Sequence, residues 1–472
     1  MTTRRKRPTS RGSQKSTKVN GTISRGNGWL TVSIYGAPFD RGFAHGYLLY
    51  KELDALYPIL KYMVKTYYKT TFTEYLARCK ASIQPHLENP EWGFIEQELR
   101  GICAGYQKRS RSKKVNYDVL VGWNAYLSMT EVYQKINKDK KNDIGEMCSA
   151  FIATGSATHD GKIIMAHNTH THFATGFISN IALYVYPEES ESAFMMQAAP
   201  GLISSSADWF ITQCGIVGCE TTIADINYIP DFAAGVPYFL RIRKAMEQGR
   251  TLDDYVAIMN DRNAGDYACS WLFGDIRSNE IMRFEQGLYQ QDVKRTTDGV
   301  FYGMNSPFSP ELRALETTNT DFENPNSSSG ARNIRLEHLL NEPKLTLTSA
   351  KRIIADHYDV GENRVRKGLR TICKHRECEM GDEFAPSGAT DGKVTDSTMA
   401  RTMAFEGIMG SSCGRVFRKA EYSYSENAPA FSKVLISHGR TEYSYSDLTK
   451  KHGDWKKVVA DMPKWPWSKL HP

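Results

Sequence analysis

The sequence lacks the long apolar segments that membrane insertion and export require. None of its 472 residues lies in an uninterrupted run of eighteen apolar residues, so no transmembrane helix is predicted. The basic start, MTTRRKRPTSRGSQKSTKVN, is not followed by the apolar segment of a secretory signal. We therefore expect a cytoplasmic protein whose thiols are mostly reduced.

The sequence also lacks closely spaced cysteine pairs. It contains nine cysteines, an odd number, and no C-x-x-C motif. This absence argues against a zinc ribbon and against a thioredoxin-type motif. Cys214 and Cys219 enclose four residues, as do Cys373 and Cys378, and this spacing matches no strong metal-binding pattern. No metal and no cofactor are predicted.

Acidic residues are missing from the first eighteen positions, which carry seven positive charges. Since the formal net charge of the whole chain is +7, the remainder is close to neutral. Residues 1–26 are predicted to form a disordered, solvated arm. Nuclear localisation or binding to an anionic surface are the alternatives for this basic tail. Specific nucleic-acid binding is not predicted.

Cys148 begins a stretch with the pattern of a β-hairpin. Two apolar runs, Ala150–Ala153 and Lys162–Ala166, flank a turn that contains Asp-Gly. Such a turn predicts that the second run folds back beside the first, which would bring His167 and Asn168 near Cys148. A thiol, an imidazole and an amide at one end of a sheet form a plausible nucleophilic site. The alternative is an inert, buried cysteine.

Hydrophobic periodicity changes along the chain. It predicts a strand at Trp29–Tyr35, helices from Ala44 to about His86, over Trp92–Lys108 and over Val119–Val132, and then an exposed polar loop over Tyr133–Glu146. Short strands follow, with helices at Val236–Glu247 and Leu252–Met259, the second one opened by a capping pattern at Thr251. Further strands and helices continue to the strand candidate Ala404–Ile408. This order predicts an α+β protein with helices outside a layered sheet.

The stretch MCSAFIATGSATHDGKIIMAHNT resembles the start of the mature catalytic chain in N-terminal-nucleophile (Ntn) hydrolases. The most similar groups are the phospholipase B-like proteins and the isopenicillin-N acyltransferase type, which acts as an acyl-CoA:6-aminopenicillanic acid acyltransferase. Further segments resemble the same families in the same order, over about residues 30–420: GAPFDRGFAHG from Gly36, GIVGCETTI from Gly215, YACSWLFGD from Tyr267, DGKVTDS from Asp391, and Cys413-Gly.

The resemblance implies a fold and a way of processing the chain. The fold would be a four-layer αββα sandwich. Residues 27–147 would form a mainly helical N-terminal chain, and residues 148–472 the catalytic chain of the same domain. The bond between Met147 and Cys148 would be cleaved autocatalytically, so the first partner of the catalytic chain would be its own cleaved N-terminal segment.

The implied chemistry is acyl transfer through the Cys148 thiol. The α-amine freed by cleavage, with an ordinary pKa of about 7.7–8.0, would act as the base. The thiol would attack a small-molecule amide, and water or an amine would then take the acyl group. One alternative is a phospholipase B-like hydrolase of acyl-lipid esters. Another is a non-catalytic binding protein that keeps the fold.

The same resemblance implies further catalytic residues. His167 matches the His of an A-H-N-T element in the phospholipase B-like proteins and the Arg of G-R-N in choloylglycine hydrolases, and Asn168 matches the Asn that follows. Asn305 resembles an oxyanion-binding Asn, and Arg332 resembles an arginine near the nucleophile. The alternatives are that Asn305 is a turn residue before Pro307 and that Arg332 is a surface helix residue.

Two positions depart from the family pattern. Cys269 stands where relatives often carry Asn, and a thiol is a weak hydrogen-bond donor. His170 stands where relatives often have Trp or Asp. Together with Glu220 of the Glu-Thr-Thr element, these residues are candidates for an oxyanion or substrate pocket. His167, His170 and His172 also cluster locally, but no cysteine or carboxylate spacing there supports a zinc site.

Overall fold

The structure is a computed structural model that describes residues 19–26, 28–137, 147–188, 193–318, 321–341, 344–379, 387–415 and 456–458. The basic tail up to residue 18 lies outside these residues, as does the segment 138–146 that precedes the nucleophile candidate. The proposed binding of the tail to an anionic surface therefore stays a prediction. Among the described residues, no helix has the length and apolar character needed to cross a membrane.

The strands are numbered in chain order. They are β1 (Gly21–Gly26), β2 (Trp29–Tyr35), β3 (Met147–Thr154), β4 (Ile164–His172), β5 (Ile181–Tyr186), β6 (Phe194–Ala198), β7 (Trp209–Thr212), β8 (Ile216–Thr222), β9 (Cys269–Asp275), β10 (Glu280–Gln286), β11 (Gln291–Thr296), β12 (Gly299–Gly303), β13 (Tyr358–Asp359), β14 (Arg364–Val365), β15 (Ser387–Ala389), β16 (Asp391–Asp396), β17 (Phe405–Met409) and β18 (Lys456–Val458).

The helices surround these strands. They are α1 (Pro38–Leu48), α2 (Tyr50–Tyr67), α3 (Phe72–Leu87), α4 (Gly93–Arg109), α5 (Tyr117–Asn124), α6 (Thr130–Asn137), α7 (Phe173–Gly176), α8 (Tyr238–Gln248), α9 (Leu252–Asn260), α10 (Pro310–Glu316), α11 (Ser328–Leu340), α12 (Leu347–Ile354) and α13 (Ser397–Ala400). The predicted capping pattern at the start of α9 is confirmed, because the Thr251 hydroxyl accepts the backbone N–H of Asp254.

Most of the strands form two sheets. The first has nine strands in the order β1-β2-β5-β6-β7-β8-β9-β10-β11, and β2 and β5 are its parallel pair. The second has the order β12-β3-β4-β16-β17-β18, with β15 also paired to β4. β13 and β14 form a small hairpin of their own. Because β2 comes from the N-terminal part of the chain, the first sheet is built from both sides of Cys148.

Three buried clusters show how the sheets and helices pack. One joins α1–α9 to one face of the first sheet, and a second lies between the two sheets. The third joins the outer face of the second sheet to α11 and α12. The side chains of strand β3 alternate between two of these clusters. Ala150 and Ile152 belong to the cluster between the sheets, whereas Phe151 and Ala153 face the helices. The predicted α+β class is confirmed.

Two boundaries predicted from the sequence are wrong. Gly21–Gly26, part of the expected disordered tail, forms the edge strand β1 and pairs with Trp29–Ile34 of β2. Its side chains are largely exposed, so the apolar pattern used to predict strands is absent. Residues 133–137, predicted to belong to a loop, continue helix α6, because Tyr133 is buried and stacks on Tyr68. The polar edge strand β11 was missed for the same reason as β1.

Helices α1 and α4 cross at very close range. A Cβ atom on Gly42 would lie 2.1 Å from the Glu98 carbonyl oxygen, and one on Gly46 would lie 1.9 Å from the Ile102 carbonyl oxygen. Both positions therefore require glycine. Two glycines of the segment GAPFDRGFAHG, noted in the sequence, thus have a packing explanation, which is close contact between helix backbones.

Buried charges join α1, α4 and α8 beneath the first sheet. Arg41 Nε donates to Glu98 at 2.6 Å, and Arg243 Nη2 donates to the same carboxylate at 2.8 Å. Both arginines also donate to Glu247, at 2.9 and 2.8 Å. Although burial alone would raise it, Arg243 and Arg41 lower the pKa of Glu98 to about 2. The carboxylate is therefore ionised and paired at neutral pH.

Candidate active site around Cys148

The hairpin predicted around Cys148 is confirmed. Strands β3 and β4 are antiparallel, with Cys148 opposite Thr169 and Ala150 opposite His167. Because opposite residues share a face, the Cys148, Thr169 and His167 side chains all lie on the face that Ala150 turns towards the first sheet. Asn168 alternates to the other face, towards α11 and α12.

The main chain of Cys148 is held on both sides by polar side chains. Its N–H donates to Asn305 Oδ1 at 3.0 Å. Arg332 Nη1 donates to its carbonyl oxygen at 2.6 Å and to the Ser149 hydroxyl at 3.1 Å. Arg332 Nη2 also donates to Asn305 Oδ1 at 3.0 Å. Arg332 is fully buried, so it is not a surface helix residue.

Asn305 directs its side-chain oxygen, rather than its nitrogen, towards Cys148. Its Nδ2 donates to the Thr222 carbonyl oxygen at 2.8 Å. Its φ of 77° is in the left-handed region, which Asn tolerates better than most residues. Asn305 therefore both lies in a turn and contacts Cys148. In this arrangement Asn305 orients the Cys148 nitrogen, while its amide N–H points elsewhere.

An imidazole and a carboxyl group lie beside the thiol. Sγ of Cys148 is 4.0 Å from Asp208 Oδ2. A His167 ring nitrogen, the thiol sulfur and an Asp208 oxygen all lie within 4.8 Å of one another. All three residues are buried. A thiol, an imidazole and a carboxyl group can also bind a metal ion. The buried ammonium of Lys393, which together with burial lowers the pKa of His167, opposes a cation here.

His167 is neutral, and its tautomer follows from its partner. Burial, reinforced by Lys393, lowers the pKa of His167 well below its ordinary value. Its Nε2 lies 3.0 Å from the Glu220 carbonyl oxygen, which can only accept, so Nε2 carries the proton. Nδ1 has no hydrogen-bond partner among the described residues and is left as an acceptor.

Asp208 and Glu220 form a buried acidic pair. Burial and the neighbouring Glu220 raise the pKa of Asp208 well above its ordinary value, which favours the protonated form of this carboxyl group. Tyr267 donates its hydroxyl to Glu220 Oε1 at 2.8 Å. Nothing in the sequence around Asp208 indicated this role, because its position depends on a left-handed turn (φ 53°) just before β7.

The other two pocket candidates are Cys269 and His170. Cys269 is paired with Thr222 in β8 and Gln286 in β10, and burial raises the pKa of its thiol well above the ordinary value. It is therefore a protonated thiol rather than a donor comparable to Asn. His170 faces the side of β4 opposite to His167, and burial lowers the pKa of its imidazole, as does nearby Arg332.

Asn168 connects the β3–β4 hairpin to the segments that contain Ile354 and Ile372. Its Oδ1 accepts the Ser149 N–H at 3.0 Å, and its Nδ2 donates to the carbonyl oxygens of Ile354 and Ile372 at 2.8 and 3.1 Å. Both the oxygen and the nitrogen of the Asn168 amide are thus hydrogen-bonded to the main chain. Asn168 is a positioning residue in this structure, because its contacts reach the strand neighbour of Cys148 and not the thiol.

A buried lysine lies under the hairpin, on the side of the thiol. Lys393 Nζ donates to Thr169 Oγ1 at 2.9 Å, to Asp391 at 2.7 Å and to the Ala207 carbonyl oxygen at 2.9 Å. Asp391 also accepts the Thr169 N–H at 3.1 Å and Gln197 Nε2 at 2.9 Å. The Asp-Gly-Lys segment was noted in the sequence, but no role was assigned to it.

A cavity opens next to Thr169, the strand partner of Cys148. Its lining combines hydroxyl and amide groups with aromatic and apolar side chains, and none of these lining residues is charged. They are Trp123, Asn124, Tyr126, Leu127, Thr169, Thr171, Thr175, Gly176, Ser179, Leu202, Ser204, Ser206 and Tyr238.

Comparison with known proteins assigns the chain to a family. The family model described as Phospholipase B matches residues 35–323, which is more than half of the chain. The chain belongs to the phospholipase B family. An uncharacterized protein of Archaeoglobus fulgidus is 23% identical over 272 residues, which cover 54% of this chain and 42% of that relative. The chain thus spans less than half of the length of this relative.

The range matched by the phospholipase B family includes most of the site. Cys148, His167, Asp208 and Asn305 all lie within residues 35–323, whereas Arg332 follows the matched range. The site of this family member therefore combines residues from the matched region with an arginine from α11. The buried Lys393 also comes from outside it.

Proposed function

We propose that this chain is an Ntn hydrolase that uses Cys148 as its nucleophile, after cleavage of the Met147–Cys148 bond, to hydrolyse or transfer the acyl group of a linear amide. The main observation is the pair of side chains on the Cys148 main chain, Asn305 on its nitrogen and Arg332 on its carbonyl oxygen. An inert packing cysteine needs neither contact. The name of the family, a lipase, supports an acyl hydrolase.

In the proposed self-cleavage, the Cys148 thiol attacks the carbonyl carbon of Met147. The C–N bond breaks and the thiol proton passes to the leaving nitrogen, which gives a thioester and a free α-amine. Water then attacks the thioester, forming the Met147 carboxylate and returning the thiol. Neutral His167 and the Asp208–Glu220 pair lie where they can relay protons during these steps.

In the proposed catalytic cycle, the freed α-amine accepts the thiol proton as the sulfur attacks the substrate carbonyl. The proton then goes to the leaving amine, and the acyl group stays on sulfur as a thioester. Water or a second amine releases it. Negative charge on the carbonyl oxygen needs donors, and one such donor typically contributes about 2.7–4 kcal/mol. Arg332 is the candidate, because the Asn305 amide N–H already donates to the Thr222 carbonyl oxygen.

The packing order supports the four-layer αββα sandwich that the resemblance implies. Helices, first sheet, second sheet and helices follow one another through the three buried clusters. Strand β2, from residues 27–147, pairs with β5, from residues 148–472. The two chains are therefore expected to stay associated after cleavage and to separate only in denaturant.

A phospholipid ester is the second candidate substrate, and the family name favours it. The uncharged lining of the cavity favours a neutral acyl chain or amide over a phosphate group at this position. A lysophospholipid could place its acyl chain there only if its headgroup stayed outside. The amide proposal has no such requirement.

The first experiment is an intact-mass measurement with N-terminal sequencing of the fragments. Cleavage before Cys148 would divide the 472 residues into fragments of roughly 17 and 37 kDa. We expect the larger fragment to begin Cys-Ser-Ala-Phe and the Cys148→Ala variant to remain whole. N-acyl amides and lysophospholipids of equal acyl length then distinguish the two substrate classes. A wild-type chain that stays at 53.4 kDa would favour a non-catalytic binding protein.

A further inference from the structure

Four metal-binding side chains meet at a place separate from the thiol site. The ligand atoms of His357, Cys373, His375 and Cys413 all lie within 4.8 Å of one another. Cys373 and His375 are fully buried, and the other two residues are partly buried. Two thiols and two imidazoles are the ligand set of many structural zinc sites.

The distances between these atoms fit a shared tetrahedral ion. Zn–S bonds of about 2.3 Å and Zn–N bonds of about 2.05 Å at tetrahedral angles place S and N about 3.6 Å apart and two N atoms about 3.3 Å apart. Sγ of Cys373 and of Cys413 lie 3.6 and 3.5 Å from His375 Nε2. His357 Nε2 lies 3.0 Å from His375 Nε2.

We propose that His357, Cys373, His375 and Cys413 bind one structural zinc ion. Two thiolates would neutralise the charge of Zn²⁺, and the imidazoles would bind as neutral groups. Because the charges cancel, the metal site can be buried, whereas burial of an isolated ion would be strongly disfavoured. With all four positions filled by the protein, no coordination position is left for a substrate, so the role is structural.

The ion would tie together three segments that are distant in sequence. His357 lies just before β13, Cys373 and His375 lie between β14 and β15, and Cys413 follows β17. The intervals between successive ligands are 15, 1 and 37 residues, which match no short zinc motif. The sequence therefore gave no indication of this site. Cross-linking such distant segments restricts the unfolded chain, which is one way in which a metal stabilises a fold.

The proposed zinc site also lies next to the support of the hairpin. Asn168 donates to the carbonyl oxygens of Ile354 and Ile372, and Ile372 is the residue before Cys373. Loss of the ion would loosen the segment that anchors the strand of His167. We therefore expect metal removal to lower thermal stability first and the rate of Cys148 chemistry as a consequence.

The test is elemental analysis of the full chain, purified under reducing conditions without chelators. We expect about one zinc per chain in the wild type. Cys373→Ser, Cys413→Ser and His375→Ala should each bind little or none. Cys378→Ser is the matched control, because Cys378 lies five residues after Cys373 in the same segment but outside the cluster. It should keep the zinc content of the wild type.

A second measurement uses the wild-type chain and therefore tests the proposal even if the variants fail to fold. Replacing the metal of the wild-type chain with Co²⁺ should give the absorption bands of a tetrahedral site with thiolate ligands. A wild type without stoichiometric zinc would overturn the proposal, as would a Cys373–Cys413 disulfide found in place of the metal, or metal that persists in the Cys373 and Cys413 variants. The fragment beginning at Cys148 is a separate readout, so this proposal and self-cleavage can fail independently.

Discussion

Replacing Arg332 with Gln tests whether the contacts on the Cys148 main chain serve cleavage. The guanidinium is fully buried and donates to the Cys148 carbonyl oxygen at 2.6 Å and to Asn305 Oδ1 at 3.0 Å. A hydrogen bond to a charged group contributes about 1.5–3 kcal/mol. Loss of both should therefore destabilise the folded precursor by about 3–6 kcal/mol.

The effect on cleavage follows from the contact with Cys148 alone. If that bond strengthens by about 1.5–3 kcal/mol as the transition state forms, its loss slows the reaction about 10- to 150-fold, whereas a bond equally strong in both states would leave the rate unchanged. The assay is the rate at which the fragment beginning at Cys148 appears after refolding of the precursor, followed by mass spectrometry. Thermal unfolding of the uncleaved precursor, measured in parallel, separates slow chemistry from loss of the fold.

Arg335→Gln is the matched control, because it lies three residues later on the same helix. Arg335 pairs with Asp356 at 2.8–2.9 Å, and both side chains are partly exposed. We expect a change in stability below about 1 kcal/mol and no change in cleavage rate. Wild-type cleavage in a folded Arg332→Gln variant would refute the role given to Arg332, and so would equal slowing in both variants.

Two further predictions concern buried carboxyl groups. Because Arg243 and Arg41 lower the pKa of Glu98 to about 2, the ion pairs contribute about 3 kcal/mol above the ordinary pKa of Glu, which is lost as pH falls towards 2. Denaturant titrations across that range should show this loss in the wild type but not in Glu98→Gln, which is already destabilised at neutral pH. The raised pKa of Asp208 has the opposite sign: stability is lost as pH rises. Asp208→Asn should remove this loss, seen as a melting temperature that falls less towards alkaline pH, and should slow cleavage at Cys148.

The sequence was most informative where contacts are local or where the resemblance gives residue positions. The Asp-Gly turn predicted the hairpin, and the register of β3 and β4 places His167 and Asn168 as expected. Asn305 and Arg332, implied by the resemblance, do contact Cys148. The orientation of these side chains could not be predicted. Which end of the Asn305 amide faces Cys148 depends on the Thr222 carbonyl oxygen, 83 residues away in the chain.

The sequence was least informative where ligands come from distant segments. Asp208 reaches the thiol through a single left-handed turn, and Lys393 reaches Thr169 across 224 residues. Neither position has a local pattern, because both depend on how the two sheets face each other. The four residues of the proposed zinc site show the same limit, since spacing rules recognise ligands in one short segment and these come from three.

The burial of Cys148 bears on the order of events in the proposed mechanism. In the uncleaved chain its thiol is fully buried and its nitrogen is an amide, which cannot act as a base. Cleavage would turn this nitrogen into an amine that still has a hydrogen to donate to Asn305 Oδ1 and gains a lone pair. The contacts of Asn305 and Arg332 can therefore persist while the chemistry of the nitrogen changes. The geometry that orients the scissile bond would be the geometry that later orients the base, so a variant that alters these contacts should impair both reactions together.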